Sequence, residues 1–316
     1  MTKTLPELVC LDTLTPQPRR PITCVCVGEY SLFAGGRDGA ISEWDLETKT
    51  LVRTFTGHTK AVTCIGFHMS RLMSGSEDST VKVWNVSTGV CSRTIGGHEG
   101  YVTALHISHD GRLYTGGGDR TVNEWDPRTG RRKWTLAGHK RLVLALCTST
   151  NGLLYSGSND HTIRVWEIDT GRCLKVLEEH SDWVFSLCLG NDVLYSSSRD
   201  GTIKAWDIST YQCLRTVTGH GSHGVRSICC AGPKLYSAGD DKNIVEWDIK
   251  NARPLRSVEA HFGSVASICG HDGRLFSGSG DGCVKIWDLG KYHRDLSPPP
   301  RAAVSAALHR LEQGVF

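Results

Sequence analysis

Six times along this 316-residue chain a histidine, a hydroxyl and an aspartate recur at nearly fixed spacing. The sets are His58, Ser74, Asp78; His98, Thr115, Asp119; His139, Ser156, Asp160; His180, Ser196, Asp200; His220, Ser237, Asp241; and His261, Ser277, Asp281. These are the residue types of a hydrolase triad, in which the imidazole takes a proton from an attacking hydroxyl and the carboxylate orients the ring. Catalysis needs one such set in one pocket, and six copies argue against it. In every copy a tryptophan follows ten residues after the hydroxyl and six after the aspartate: Trp84, Trp125, Trp166, Trp206, Trp247 and Trp287. The better reading is a buried chain from carboxylate through imidazole and hydroxyl to the indole N–H, each polar group satisfying the next.

The elements that must position these sets follow from the interval between tryptophans. Trp44 and the six above are separated by 40, 41, 41, 40, 41 and 40 residues, and a period of that size means a propeller, solenoid or array. Each Trp closes a β-branched run such as STVKVWN, HTIRVWE or GTIKAWD, with a turn signal (EDST, NDHT, RDGT) at its start, which reads as strand, tight turn, strand. Each repeated His lies 14 residues after the preceding Trp, and four of the six follow Gly.

These residues resemble the WD40 repeat family, whose units of about 40 residues carry Gly-His near the start and Trp-Asp at the end. Trp-Asp is literal at Trp44, Trp125, Trp206, Trp247 and Trp287, whereas Trp84-Asn85 and Trp166-Glu167 depart from it. The resemblance spans roughly residues 8 to 290 and implies an all-β, seven-bladed propeller with four antiparallel strands per blade. It also implies that the six polar sets are structural tetrads.

Closure of such a ring can be tested by counting. Arg301 stands where another His would fall, and DLGKYHRDLSPPP after Trp287 is too Pro-rich for an outer strand. Cys10 to Thr15, however, matches Cys213 to Thr218 in type and in distance to the next inner strand. The N-terminal strand is therefore expected to complete the last blade and cover its edge. The first repeat has Ala34 for the hydroxyl and Pro18 for the His, so its packing should lean on that closing strand. A single propeller over 1–290 replaces the two domains that length alone suggests. Residues 291–316 form a tail, Pro-rich and then apolar at helical spacing through Val304, Ala307, Leu308 and Leu311.

Composition narrows the class of work. Lys and Arg number 36 against 33 Asp and Glu, too small an excess for a general nucleic-acid footprint. The longest apolar run, Leu142 to Cys147, is far below the roughly 18 residues of a membrane span. Thirteen cysteines, an odd number without paired metal spacing, read as reduced intracellular thiols. Cys26, Cys147, Cys188, Cys229 and Cys269 share one inner-strand position and should be spread around the ring as small apolar filling, with no metal or other cofactor implied. Cys229 and Cys230 should point to opposite sheet faces.

Two further groups are less regular. Glu43, Glu124 and Glu246 precede their Trp where other repeats carry Val83, Val165, Ala205 or Ile286, a position facing the neighbouring blade, so each carboxylate needs a partner. Arg131, Arg132 and Lys133 read as a solvated charged turn.

The expected work is binding. Loops before the inner strands and the turns holding the repeated Asp should converge on one face. Tyr101, Arg141, Trp183 and Arg199 are the expected centre of a partner patch, with Arg37, Asn159 and Asp240 beside them and His223 a lesser candidate. The leading expectation is a non-catalytic scaffold for protein or peptide ligands, intracellular, a monomeric propeller within a larger complex. A rival is a substrate receptor of a cullin-4 RING ubiquitin ligase, resembled by Asp119, Trp125, Asp126, Arg128 and by Asp241, Trp247, Asp248, Lys250, although Pro127 departs from the usual aliphatic. An RNA-binding propeller is hinted at only by Lys140, Arg141 and Trp183.

Overall fold

The β-branched runs that end at each tryptophan are the third strands of seven four-stranded antiparallel sheets. The computed structural model describes residues 8–16, 19–248 and 251–290. Blade 1 is β2 (Ile22–Val27), β3 (Ser31–Gly36), β4 (Ile41–Asp45) and β5 (Leu51–Phe55), in that order from the axis outward. The inner strands of blades 2 to 7 are β6 (Val62–His68), β10 (Val102–Ile107), β14 (Val143–Thr148), β18 (Val184–Gly190), β22 (Val225–Ala231) and β26 (Val265–His271). Each packs on its neighbours in ring order, and β26 returns to β2. Among the described residues there is no helix, and so none long and apolar enough to cross a membrane.

Burial explains the strand patterns. Second strands such as β7 (Arg71–Ser76) are buried along five successive residues, because sheet neighbours cover both edges and blades cover both faces. Outer strands such as β9 (Cys91–Gly96) are exposed except at one apolar residue, Ile95. The apolar clusters lie between blades rather than within them. Trp84 packs on Phe33, Ile41 and Phe55 of blade 1, and Trp206 packs on Tyr155, Ile163 and Val165 of blade 4.

The last blade is β26, β27 (Arg274–Ser279), β28 (Val284–Asp288) and then β1 (Val9–Leu14), so the N-terminal strand does close the ring. Cys10 lies opposite Trp287, as Cys213 lies opposite Trp206 in blade 5, and both ladders shift register beside the Trp. Leu14 of β1 joins the cluster around Trp44, with Phe276, Val284 and Ile286 of blade 7. Blade 1, where Ala34 replaces the hydroxyl, thus packs its Trp on the closing strand. Pro18, Lys250 and the 291–316 tail lie outside the described residues.

Candidate binding face

Each repeated polar set is joined by short hydrogen bonds. In blade 5 the His180 Nδ1–H donates to Asp200 at 2.8 Å, the Ser196 hydroxyl donates to His180 Nε2 at 2.8 Å, and the Trp206 indole N–H donates to Ser196 at 2.8 Å. The same three contacts fall between 2.6 and 3.0 Å in the sets ending at Trp84, Trp125, Trp166, Trp247 and Trp287. All six hydroxyls are fully buried, with the proton committed to imidazole and an acceptor site to indole. The Gly before His is a matter of space: a Cβ at Gly97 would stand 2.8 Å from the Trp125 ring.

Burial opposes ionisation of Asp78 and Asp119, yet hydrogen bonds from Thr80, His58 and the Thr59 N–H bring the first to about 2, and those from His98 and Thr121 bring the second to about 2. Asp160, Asp200, Asp241 and Asp281 are lowered through the same contest. Burial also lowers His58 and His261 below the ordinary 6.5. Carboxylates depressed by folding confer stability above 3.8 that is lost as pH falls through about 2. The two histidines act in the same sense, since the unfolded chain takes up protons near 6.5 that the folded chain refuses. The urea midpoint should therefore begin to fall below about pH 6.5 and drop steeply below about pH 4; a midpoint that stays flat across this range contradicts the account.

The three buried glutamates find partners within their own blade. Glu43 is 3.0 Å from Arg53 and accepts from the Ser31 hydroxyl at 2.8 Å. Glu124 lies 3.4 Å from Lys133 and 3.9 Å from Arg112. Glu246 pairs with both Lys234 and Arg256. The basic run at 131–133 is exposed, as expected, but it is not all turn: Arg132 and Lys133 belong to β13 (Arg132–Ala137), where Arg132 donates to the Gly97 carbonyl at 3.3 Å and Lys133 lies 3.4 Å from Glu124.

The turns that hold the Asp residues and the loops before the inner strands do share one face. Seven backbone bonds of 2.7 to 3.0 Å stitch them together: Arg37 to Pro21, Glu77 to Ala61, Gly118 to Tyr101, Asn159 to Leu142, Arg199 to Trp183, Asp240 to Gly224 and Gly280 to Ser264, each N–H donating to the carbonyl. On this face the Arg199 guanidinium lies 4.7 Å from the Trp183 ring, and Trp183 meets Phe185 edge-on at 6.0 Å. Arg226 lies over Phe185 at 4.6 Å and donates to Asp240 at 2.8 Å, and Asp240 also accepts from Ser264 at 2.7 Å. The result is a continuous row of rings and charges from blade 5 to the edge of blade 7. Arg199 and Arg226 keep about half of their side-chain surface in solvent.

Trp183, Arg199 and Asp240 are thus gathered, while Tyr101, Arg141 and Arg37 sit on other blades. Among the described residues no hydrogen bond, ion pair or ring contact joins those three to the row; Tyr101 instead lies under Lys60 at 5.6 Å. Asn159 is buried, with its Oδ1 unpartnered. His223 is exposed and approaches the His220 carbonyl at 3.3 Å. Arg128 is exposed in the turn after Trp125, its backbone N–H donating to Asp126 at 2.8 Å.

Phe185 and Arg226 are missing from the sequence reading, although a signal exists. The second inner-strand position runs Thr23, Thr63, Thr103, Leu144, Phe185, Arg226, Ala266. The three threonines donate to the Val62, Val102 and Val143 carbonyls of the following blades and seal that half of the ring. At the junctions from blade 5 to 6, 6 to 7 and 7 to 1, Ser186, Ser227 and Ser267 accept backbone N–H groups instead, at 3.1 to 3.3 Å. That substitution frees the second position there for other side chains, Phe185, Arg226 and Ala266. All seven line the central cavity, whose volume is about 210 Å³.

Comparison with known families agrees with this geometry. The model described as WD domain, G-beta repeat matches residues 49–85, 211–248 and 252–288, and the model described as IP5P C-F beta-propeller matches 89–206. No curated protein gives a match. The 49–85 match begins just before the outer strand of blade 1 and ends with the third strand of blade 2, so the unit of sequence straddles two blades, which is the offset that ring closure by β1 requires. Propellers of this kind are typical protein-interaction scaffolds and generally non-catalytic. With these matches laid over seven four-stranded blades and six buried tetrads, the chain is a seven-bladed β-propeller that carries WD40 repeats.

Proposed function

We propose that the protein is a non-catalytic scaffold that docks a protein or peptide at the mouth of its central channel, on the blade 5 to blade 6 side. The supporting observation is the row Arg199, Trp183, Phe185, Arg226, Asp240, in which two guanidiniums stack on two rings at 4.7 and 4.6 Å. Stacking pre-organises the arginines and leaves their outer edges free to pair with a ligand. Aromatic and Arg side chains beside a rigid strand end are the residue types that dominate interface energies. The six repeated hydroxyls, each held between imidazole and indole, favour binding over hydrolysis.

The test is quantitative affinity purification with wild type, a Trp183→Ala, Arg226→Ala double variant and a Trp134→Ala control on the outer strand β13. Partners should be retained by the control and lost by the double variant, at about 10- to 100-fold weaker affinity for a central anchor. A partner set unchanged by the double variant places the interface elsewhere.

A further inference from the structure

Two thiols on neighbouring inner strands meet across a blade junction. The Cys188 and Cys230 sulfurs are 3.7 Å apart, one on β18 of blade 5 and the other on β22 of blade 6. Both are partly exposed, whereas Cys24, Cys64, Cys147 and Cys283 are buried. Close approach is built into the strand end: a Cβ at Gly190, two residues beyond Cys188, would stand 2.7 Å from the Cys230 sulfur, so only glycine leaves the thiol this place. Cys229, adjacent in sequence, lies opposite Tyr236 in the ladder, and alternation turns it to the other face.

We propose that Cys188 and Cys230 are a redox-modification site, forming a reversible disulfide between blades 5 and 6 when the protein meets a hydroperoxide. A disulfide holds its sulfurs about 2.05 Å apart, so side-chain rotation must bring them closer from 3.7 Å. Either thiol of this 3.7 Å pair can donate to the other; with Cys188 as donor the Cys230 thiol is held below the ordinary 9.0, which makes Cys230 the first nucleophile. Its thiolate attacks one peroxide oxygen, the O–O bond breaks, and the departing oxygen takes a proton and leaves as water or alcohol. The resulting Cys230 sulfenic acid is attacked by the Cys188 sulfur, which gives up its proton; the S–S bond forms, the S–O bond breaks, and hydroxide leaves with that proton as water. Two electrons pass from the two thiols to the peroxide, and a dithiol reductant reverses the change. Phe185 and Arg226 lie on the same two strands, so the link fixes the spacing of strands that carry the proposed docking row.

The experiment exposes the full chain to hydrogen peroxide, blocks remaining thiols with an alkylating agent and digests with trypsin. Wild type should lose alkylation at Cys188 and Cys230 together and yield peptide 176–199 joined to peptide 227–234, a product abolished by dithiothreitol. Cys229→Ser should keep the link, and Cys188→Ser and Cys230→Ser should each lose it. The proposal is overturned if the link persists in Cys230→Ser, or if wild-type Cys188 and Cys230 stay free while exposed Cys10 is oxidised. The wild-type measurement needs no substitution, so a variant that folds poorly leaves the result readable.

Discussion

A chain begun at residue 15 should lose most of its stability and associate through the bared edge of β28. In the intact ring β1 pairs β28 from Val9 opposite Asp288 to Leu14 opposite Val284. Removing it exposes a strand edge in blade 7 and takes away buried Leu8 and Leu14, the second of which supports Trp44 where blade 1 has no tetrad. Two buried leucines contribute about 2 kcal/mol each. With the lost ladder, the expected loss reaches about 5 kcal/mol or more, comparable to the whole net stability of an ordinary domain. Urea unfolding should show a much lower midpoint, and size-exclusion chromatography should show multimers formed by edge pairing. A monomer with an unchanged midpoint would mean that the ring is held by its six hydrogen-bonded inner-strand junctions without this strand.

Arg256→Ala should be the most damaging single substitution outside the tetrads. Glu246 is fully buried and shared between Arg256, itself 13% exposed, and Lys234. Truncating Arg256 leaves the carboxylate in a dry junction with one cation, at an expected cost of about 3 to 5 kcal/mol. The paired replacement Glu246→Val with Arg256→Leu should recover nearly all of this, because Val83 and Val165 occupy the equivalent position without any ion pair. Thermal unfolding of the three proteins decides the matter; equal destabilisation by the single and the double change would show that packing, not charge pairing, governs the site.

Much of the fold was legible in the primary structure for one reason: the repeated contacts are local in sequence. Hydroxyl, aspartate and tryptophan of a tetrad all lie within ten residues, on the two adjacent strands and the turn of one hairpin, and their period alone set the blade number. The match of Cys10 with Cys213 was enough to identify the closing strand, because register repeats with the blade. By contrast, Glu246 drew its cations from strands on either side within its blade, a choice that depends on which long side chains reach a buried position. The basic residues at 132 and 133 are exposed as their composition suggests, but spacing does not reveal that they lie on an outer strand and that Lys133 reaches the buried Glu124.

What the sequence by itself determined is a ring of seven blades, its closure by an N-terminal strand and the structural duty of its recurrent polar residues, since periodicity records each of these directly. Only the tertiary structure decided which non-repeating residues meet. Phe185 and Arg226, or Cys188 and Cys230, stand about one blade apart in sequence and touch because neighbouring inner strands lie side by side around the axis. Such contacts depend on the small offset between consecutive blades and on side-chain reach, and neither leaves a period to be read.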